Sequence, residues 1–197
     1  NPVNTTITSS SANLIIEDSD AAPTISVFNP LSVNEGDNAV YTINLSNISA
    51  KDISFNYQID GVSSADVDET SGSVLIPAGS STATISVATL EDNFIEPTEV
   101  INLSFNSAQN VQIGSSSYKT QLINTTIAGI SVADTSVDEV SSSASVVVSL
   151  SATPVSSVEV DYRTTNSGSA SVLVDYAPVS GTLIFAAGET SKTISVS

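Results

Sequence analysis

The stretch YTINLSNISAKDISFNY, residues 41–57, decides the fold. Apolar residues take every second position in its two ends, YTINL and ISFNY, and a short polar segment separates them. Alternation with a period of two predicts β-strands that bury one face. The same pattern recurs in TISV, residues 84–87, and in INLSF, residues 101–105, whereas no stretch has a helical period. The sequence therefore predicts an all-β chain.

Composition excludes several classes of function. The 197 residues contain 4 Lys and Arg against 21 Asp and Glu, and the formal net charge of -17 opposes binding to nucleic acid or to an anionic membrane. The absence of Cys and His excludes disulfides, zinc-finger sites and His-dependent catalytic triads. No run of about 18 apolar residues is present, so we expect no direct membrane insertion. The protein is predicted not to be an enzyme.

The chain repeats its own sequence. ISV at residues 25–27 recurs at 130–132, and DVDETSGSVLIPAG from residue 66 is matched by DYAPVSGTLIFAAG from residue 175. TTITSSSANLII at residues 5–16 also aligns with VQIGSSSYKTQL at residues 111–122. These matches predict three domain segments: the terminal strand of a preceding repeat in 1–22, a complete repeat in 23–126, and the first two-thirds of a following repeat in 127–197. A repeat of about 100 residues with several short strands suits an Ig-like antiparallel β-sandwich.

The last repeat lacks counterparts of the strand EVINLSF, residues 99–105, and of the turn before it. An unpaired sandwich edge invites another strand. We therefore expect either a fragment of a longer protein or subunits in which residues 1–22 complete the sandwich of an identical chain by strand complementation.

The turn TLEDNFIEPTEV, residues 89–100, carries four acids and no Lys or Arg; they are Glu91, Asp92, Glu96 and Glu99. Two like charges about 4 Å apart repel by about 4 kcal/mol at an effective dielectric constant near 20. Such a cluster therefore predicts a bound cation.

Four segments in this order resemble the Calx-beta repeat, a calcium-binding sandwich of sodium/calcium exchangers and bacterial surface proteins. They are SVNEGD at 32–37, Asp66 followed by TSG, LIPAG at 75–79 and EDNFIEPTEV at 91–100. The resemblance implies tandem Calx-beta-type sandwiches that hold Ca²⁺ between loops at one end. The implied metal ligands are Glu35, Asp66, Glu91, Asp92, Glu96 and Glu99.

The resemblance also implies partial metal half-sites in the incomplete repeats, at Asp18, Asp20, Glu139 and Asp175. The family closes its calcium cage with a run of aspartates after the last strand, where this chain has INTT at residues 123–126. Asn124 to Thr126 are expected to offer neutral oxygens only. We therefore expect fewer ions, or weaker binding, than in a full family member.

The leading hypothesis is a structural or adhesive segment of an extracellular or cell-surface stalk, fibre or adhesin, stiffened by Ca²⁺. Its expected partners are neighbouring repeats of the same protein. Three alternatives remain: a calcium-sensing regulatory module of a transporter, a filament subunit assembled by strand complementation, and a non-catalytic segment of a secreted enzyme or glycan-binding protein.

Overall fold

The computed structural model describes residues 3–6, 8–9, 11–17, 19–115, 117–138 and 140–197. Within these ranges the ordered secondary structure is entirely β, as predicted, and no helix there is long and apolar enough to cross a membrane. The strands are β1 (Thr24–Phe28), β2 (Ser32–Asn34), β3 (Asn38–Leu45), β4 (Ile53–Asp60), β5 (Ser71–Ile76), β6 (Thr82–Ala88), β7 (Phe94–Ile95), β8 (Glu99–Gln109), β9 (Gln112–Ile113), β10 (Ser117–Ile123), β11 (Ile130–Val132), β12 (Ala144–Leu150), β13 (Thr153–Pro154), β14 (Val158–Arg163), β15 (Ser180–Phe185) and β16 (Ser191–Val196).

The first sandwich consists of two facing sheets. One has the strand order β6-β3-β1-β9 and the other has the order β2-β10-β8-β4-β5. Most neighbours are antiparallel, but β9 runs parallel to β1 and β2 runs parallel to β10. Because the chain crosses between the two sheets repeatedly, the loops at each end of the sandwich come from distant parts of the sequence.

The alternating apolar residues of the sequence form the core between these sheets. Tyr41 and Ile43 of β3 face Phe55 of β4 and Leu103 of β8, and all four are buried. Phe55 and Phe105 pack edge to face with ring centroids 5.0 Å apart, an arrangement that aromatic pairs prefer. The period-two alternation therefore correctly indicates which side of each strand is buried.

The second sandwich is smaller and open on one side. One sheet has the order β11-β12-β16, and β14 pairs with β15 in the other. Its buried core is small and includes Val148, Leu150 and Phe185. Ile130 of β11 is 53% exposed, whereas Ile25, the matching residue of β1, is 3% exposed. The difference arises because β8 and β10 cover the first sandwich and the described residues supply no such strands to the second.

The amino-terminal segment differs from the expectation. The residues described between 3 and 22 form no strand, although a terminal strand was predicted there. Leu14, Ile15 and Ile16 in this segment are all exposed. An extended segment needs a neighbouring strand to satisfy its backbone hydrogen bonds, and none is paired with it here.

Both sandwiches contain the same tyrosine–glycine pair across two strands. Tyr57 of β4 lies opposite Gly72 of β5, and Tyr162 of β14 lies opposite Gly181 of β15. The Tyr57 hydroxyl donates a hydrogen bond to Glu69 Oε2 at 3.1 Å, which holds the ring over Gly72. A Cβ atom at Gly72 would lie 2.5 Å from the Tyr57 hydroxyl oxygen, whereas one at Gly181 would lie 3.1 Å from that of Tyr162. A side chain at Gly72 would therefore clash with the tyrosine ring more severely than a side chain at Gly181 would.

We predict that Gly72→Ala lowers the free energy of unfolding by about 1–3 kcal/mol, because the new methyl group must displace the Tyr57 ring. Gly181→Ala should cost less, since Tyr162 has more room to move. Gly168→Ala is the matched control, because a Cβ there meets no atom within 4 Å. Urea denaturation of each variant measures the difference. Equal effects of Gly72→Ala and Gly168→Ala would show that this packing is not important.

Candidate metal site between three loops

Three loops meet at one end of the first sandwich. The first joins β2 to β3 and carries Glu35, the second joins β4 to β5 and carries Asp66, and the third leads from β6 to β8 and carries the acidic turn. The acids were predicted to converge at the end of a sandwich. Convergence of these loops is what the strand order of the two sheets produces.

Backbone hydrogen bonds hold the loops against one another. Val67 forms an isolated antiparallel bridge with Thr89, and Leu90 N donates to Asp66 O at 2.8 Å. The single hydrogen of the Thr89 hydroxyl is shared between two carbonyl oxygens, Asn34 O at 3.0 Å and Asp37 O at 2.8 Å. Thr89 is buried and thus ties the first loop to the third. These bonds keep the three loops, and with them the backbone positions of the acids, close together.

Asp66, Asp92 and Glu96 form the centre of the site. Each has a carboxylate oxygen within 4.8 Å of an oxygen of the other two. Two oxygens that each lie about 2.4 Å from one ion can be at most about 4.8 Å apart, so these distances suit a shared Ca²⁺. Asp66 is 5% exposed, and its Oδ2 accepts a hydrogen bond from Ser63 N at 2.7 Å. These three residues could hold a metal ion.

Two buried carboxylate oxygens beside this centre have no hydrogen-bond partner in the described structure. They are Glu96 Oε2 and Glu99 Oε2. An unpaired buried polar atom is costly, and a buried carboxylate oxygen is normally paired with a donor or coordinates a metal. The residues present therefore fit a cation better than they fit a metal-free site.

The electrostatics of the loops agree with this interpretation. Burial, followed by the neighbouring carboxylates of Asp92 and Asp66, raises the pKa of Glu96. Burial, followed by Asp66 and Glu35, raises the pKa of Glu99. Both causes disfavour the charged form, and the described structure places no Lys or Arg in a salt bridge with these groups. A cation would supply the missing positive charge.

Glu35 has a different environment from the other acids. It is 7% exposed, and both of its carboxylate oxygens accept from Asn124 Nδ2, Oε2 at 3.0 Å and Oε1 at 3.3 Å. Burial raises the pKa of Glu35, while the Asn124 hydrogen bond acts in the opposite direction. Asn124 was expected to contribute a neutral oxygen, but its oxygen accepts from Thr126 N and its amide group faces Glu35.

The remaining predicted ligands lie outside the central group of three. Glu91 is exposed and its side chain lies beside Gly36. Glu99 is partly buried next to the group, on the first residue of β8. Among the half-sites, Asp20 and Asp175 are exposed, and Asp175 Oδ2 accepts from Ser171 N at 2.7 Å, as Asp66 does from Ser63. Asp18 and Glu139 lie outside the described residues.

The acidic turn also contacts the second sandwich, which the sequence did not indicate. β7, inside the turn, pairs in parallel with β13, and Thr153 N donates to Asn93 O at 3.0 Å. Asn93 Nδ2 donates to Ser151 O at 3.2 Å. On the segment that joins the sandwiches, the Thr126 hydroxyl donates to Asp92 O at 3.1 Å. The candidate site therefore lies at the junction of the two sandwiches.

We predict that the metal-free protein becomes more stable as the pH falls from neutral towards 4.5, the ordinary pKa of a glutamate, because the pKa values of Glu96 and Glu99 are raised in the folded state. A pKa that is raised in the folded state means that the folded chain binds more protons than the unfolded chain over this interval, so stability falls as the pH rises through the folded pKa. Urea denaturation in a chelator at several pH values measures this slope. Glu96→Gln and Glu99→Gln should raise stability at neutral pH and reduce the slope, whereas the exposed Glu159→Gln should change neither. A wild-type stability that rises with pH over this interval would contradict the prediction.

The model of the Calx-beta domain matches the chain twice, over residues 18–126 and 123–197, where we expected one complete and two partial repeats. The crystal structure of CBD12 from CALX1.2 is similar to the chain, with 18% sequence identity and a TM-score of 0.47, and the match covers 88% of this chain and 73% of that one. The crystal structure of the calcium binding domain CBD12 of CALX1.1 has 19% identity and a TM-score of 0.46, with 86% of this chain and 74% of that one covered. The apo form of the Calx CBD1 domain has 12% identity and a TM-score of 0.45, with 51% of this chain and 97% of that one covered. No curated protein matches the chain. Since the two domain matches together span residues 18–197, the chain belongs to the Calx-beta domain family, with two copies in tandem.

Proposed function

We propose that this chain is a calcium-binding tandem segment of an extracellular stalk, fibre or adhesin, in which Ca²⁺ stiffens the junction between two sandwiches. The observation that carries the proposal is the convergence of Asp66, Asp92 and Glu96, with ligand oxygens within 4.8 Å of one another, beside an acidic turn that pairs with the second sandwich.

The donor set favours calcium over transition metals. Every candidate ligand is a carboxylate, and the sequence contains no His or Cys, the ligands that zinc and copper prefer. Ca²⁺ takes six to eight oxygen ligands, which carboxylates, backbone carbonyls and water supply together. Asp66, Asp92 and Glu96 would hold the ion, and Glu99 lies close enough to interact electrostatically with the same group.

Calcium would stiffen the tandem through the acidic turn. Asp92 and Glu96 flank β7, the strand that pairs with β13 of the second sandwich. An ion bound to both residues would restrict the turn, and the turn would then restrict the orientation of β13. Ca²⁺ that binds only the folded state also stabilises that state by RT ln(1 + [L]/Kd).

The proposed location is extracellular or at the cell surface. Extracellular calcium modules are typically tuned to Kd values of about 10⁻⁴ to 10⁻³ M, which an external medium can saturate and the cytosol cannot. The high negative charge also favours a soluble, extended array over binding to nucleic acid.

The open edge of β14 supports a second candidate function, a filament subunit. In the first sandwich β4 pairs with both β5 and β8, whereas β14, its counterpart, pairs only with β15 in the described structure. An apolar groove of about 320 Å³ lies between the sheets here and is lined partly by Val148, Val160 and Leu183. The occupant would be residues 11–17 of an identical chain, which expose three large apolar side chains. They align in sequence with β10, which β8 separates from β4 in the first sandwich, so at the edge of β14 they would take the place of β8.

We predict that saturating Ca²⁺ raises the melting temperature of the wild-type chain. At ten times the Kd the ion adds about 1.4 kcal/mol, which corresponds to about 5 °C or more for a domain of this size. Asp66→Asn should abolish the shift, and Glu159→Gln, an exposed substitution with the same change of charge, should retain it. Half-saturation in the millimolar range supports the stalk, half-saturation near micromolar Ca²⁺ supports a sensor module, and no shift contradicts calcium binding.

For the filament, we predict that sedimentation velocity detects oligomers that increase with protein concentration. Leu14→Asp combined with Ile16→Asp should abolish them, because charged residues cannot enter an apolar groove. Ile48→Asp is the control, since Ile48 is exposed at the opposite end of the first sandwich from the acidic loops. A wild-type chain that is monomeric at all concentrations would exclude strand complementation between these chains.

A further inference from the structure

Asn124 has no unused hydrogen-bonding group. A side-chain amide offers two N–H donors and one carbonyl oxygen. Nδ2 donates to the Glu35 carboxylate and to Phe94 O at 3.0 Å, and Oδ1 accepts from Thr126 N at 3.1 Å. Exchanging the amide nitrogen and oxygen would place Oδ1 against the acceptor oxygens of Glu35 and Phe94, which is unfavourable. The contacts therefore fix the amide with its N–H groups directed at Glu35.

This arrangement leaves the acids of the three loops in two different states. Glu35 is buried, one N–H of Asn124 is shared between its two oxygens, and the Thr125 backbone also hydrogen-bonds to it. Glu96 Oε2 and Glu99 Oε2 are buried, and neither has a hydrogen-bond partner in the described structure. Glu35 is also absent from the group whose ligand oxygens lie within 4.8 Å of one another. The negative charge that no hydrogen-bond donor compensates therefore lies around Asp66, Asp92 and Glu96, and a cation would bind there.

We infer that Asn124 takes the place of a second cation, so that the site binds one Ca²⁺ ion through Asp66, Asp92 and Glu96 and leaves Glu35 outside its coordination. The inference deepens the proposed function and rests on it. A cation at Glu35 would have to displace an N–H donor, and it would also break the bonds of Asn124 to Phe94 and Thr126. The neutral amide satisfies the oxygens of Glu35 and at the same time fixes the segment that leads to the second sandwich.

Asn124→Asp provides the direct test, because aspartate has nearly the same shape but carries a charge and donates no hydrogen bond. Isothermal titration of the full 197-residue chain with CaCl₂ should give one ion per chain for the wild type and two for Asn124→Asp. In a chelator the variant should melt at a lower temperature than the wild type, since two carboxylates then face each other, and Ca²⁺ should reverse the loss. Asn47→Asp, an exposed control at the opposite end of the sandwich, should bind one ion.

Glu35→Gln tests the inference without adding a charge. It should still bind one ion, with a Kd within about fivefold of the wild-type value, since the substituted side chain is not a ligand. Asp66→Asn should weaken binding by more than about a hundredfold.

These titrations distinguish a failure of the role of Asn124 from a failure of calcium binding. Two or more ions in the wild type, one ion in Asn124→Asp, or a loss of binding in Glu35→Gln as large as in Asp66→Asn would overturn the role of Asn124 while calcium binding itself stands. Absence of binding in the wild type would overturn the proposed function and the inference together.

Discussion

The structure depends on one constraint: backbone contacts hold several carboxylates close together, although these carboxylates repel one another. The bridge between Val67 and Thr89 and the shared hydrogen bond of the Thr89 hydroxyl fix three loops against one another. At a separation of about 4 Å each charged pair costs about 4 kcal/mol at an effective dielectric constant near 20. The folded sandwich core supplies the stability that maintains this arrangement. A bound cation would remove the repulsion and would thereby couple ion binding to the stability of the fold.

The same loops connect the two sandwiches. β7 lies within the acidic turn and pairs with β13, and Asn93, Thr126 and Asn124 add hydrogen bonds around the joining segment. Several of these bonds involve neutral groups and need no metal. The junction therefore has a metal-independent part, made by backbone pairing and amide contacts, and a part that responds to the charge of the site.

The two copies show how one sequence pattern gives the same local structure in different surroundings. In both, a serine N–H donates to the loop aspartate, and a tyrosine ring lies opposite a glycine. These features recur because their partners are close in sequence or on adjacent strands. The burial of matching residues differs between the copies: Ile25 lies between two complete sheets and is buried, whereas Ile130 is exposed. Local motifs are thus properties of the repeat, whereas core packing depends on which strands are present.

Period-two alternation alone indicated β3, β4, β6 and β8 of the first sandwich and their buried faces, because the side chains of a strand point alternately to its two sides. The four segments that resemble the Calx-beta repeat likewise indicated the family and six candidate ligands, among them the three acids that converge, Asp66, Asp92 and Glu96. Only the tertiary structure decided that Glu91 is exposed, that the Asn124 amide faces Glu35 and that β7 pairs with β13. Each of these depends on groups far apart in the chain, 89 residues for Asn124 and Glu35, whose orientation follows from packing. The strand that the internal repeat predicted in residues 1–22 is absent from the described part of that segment, because a strand also needs a partner strand to pair with.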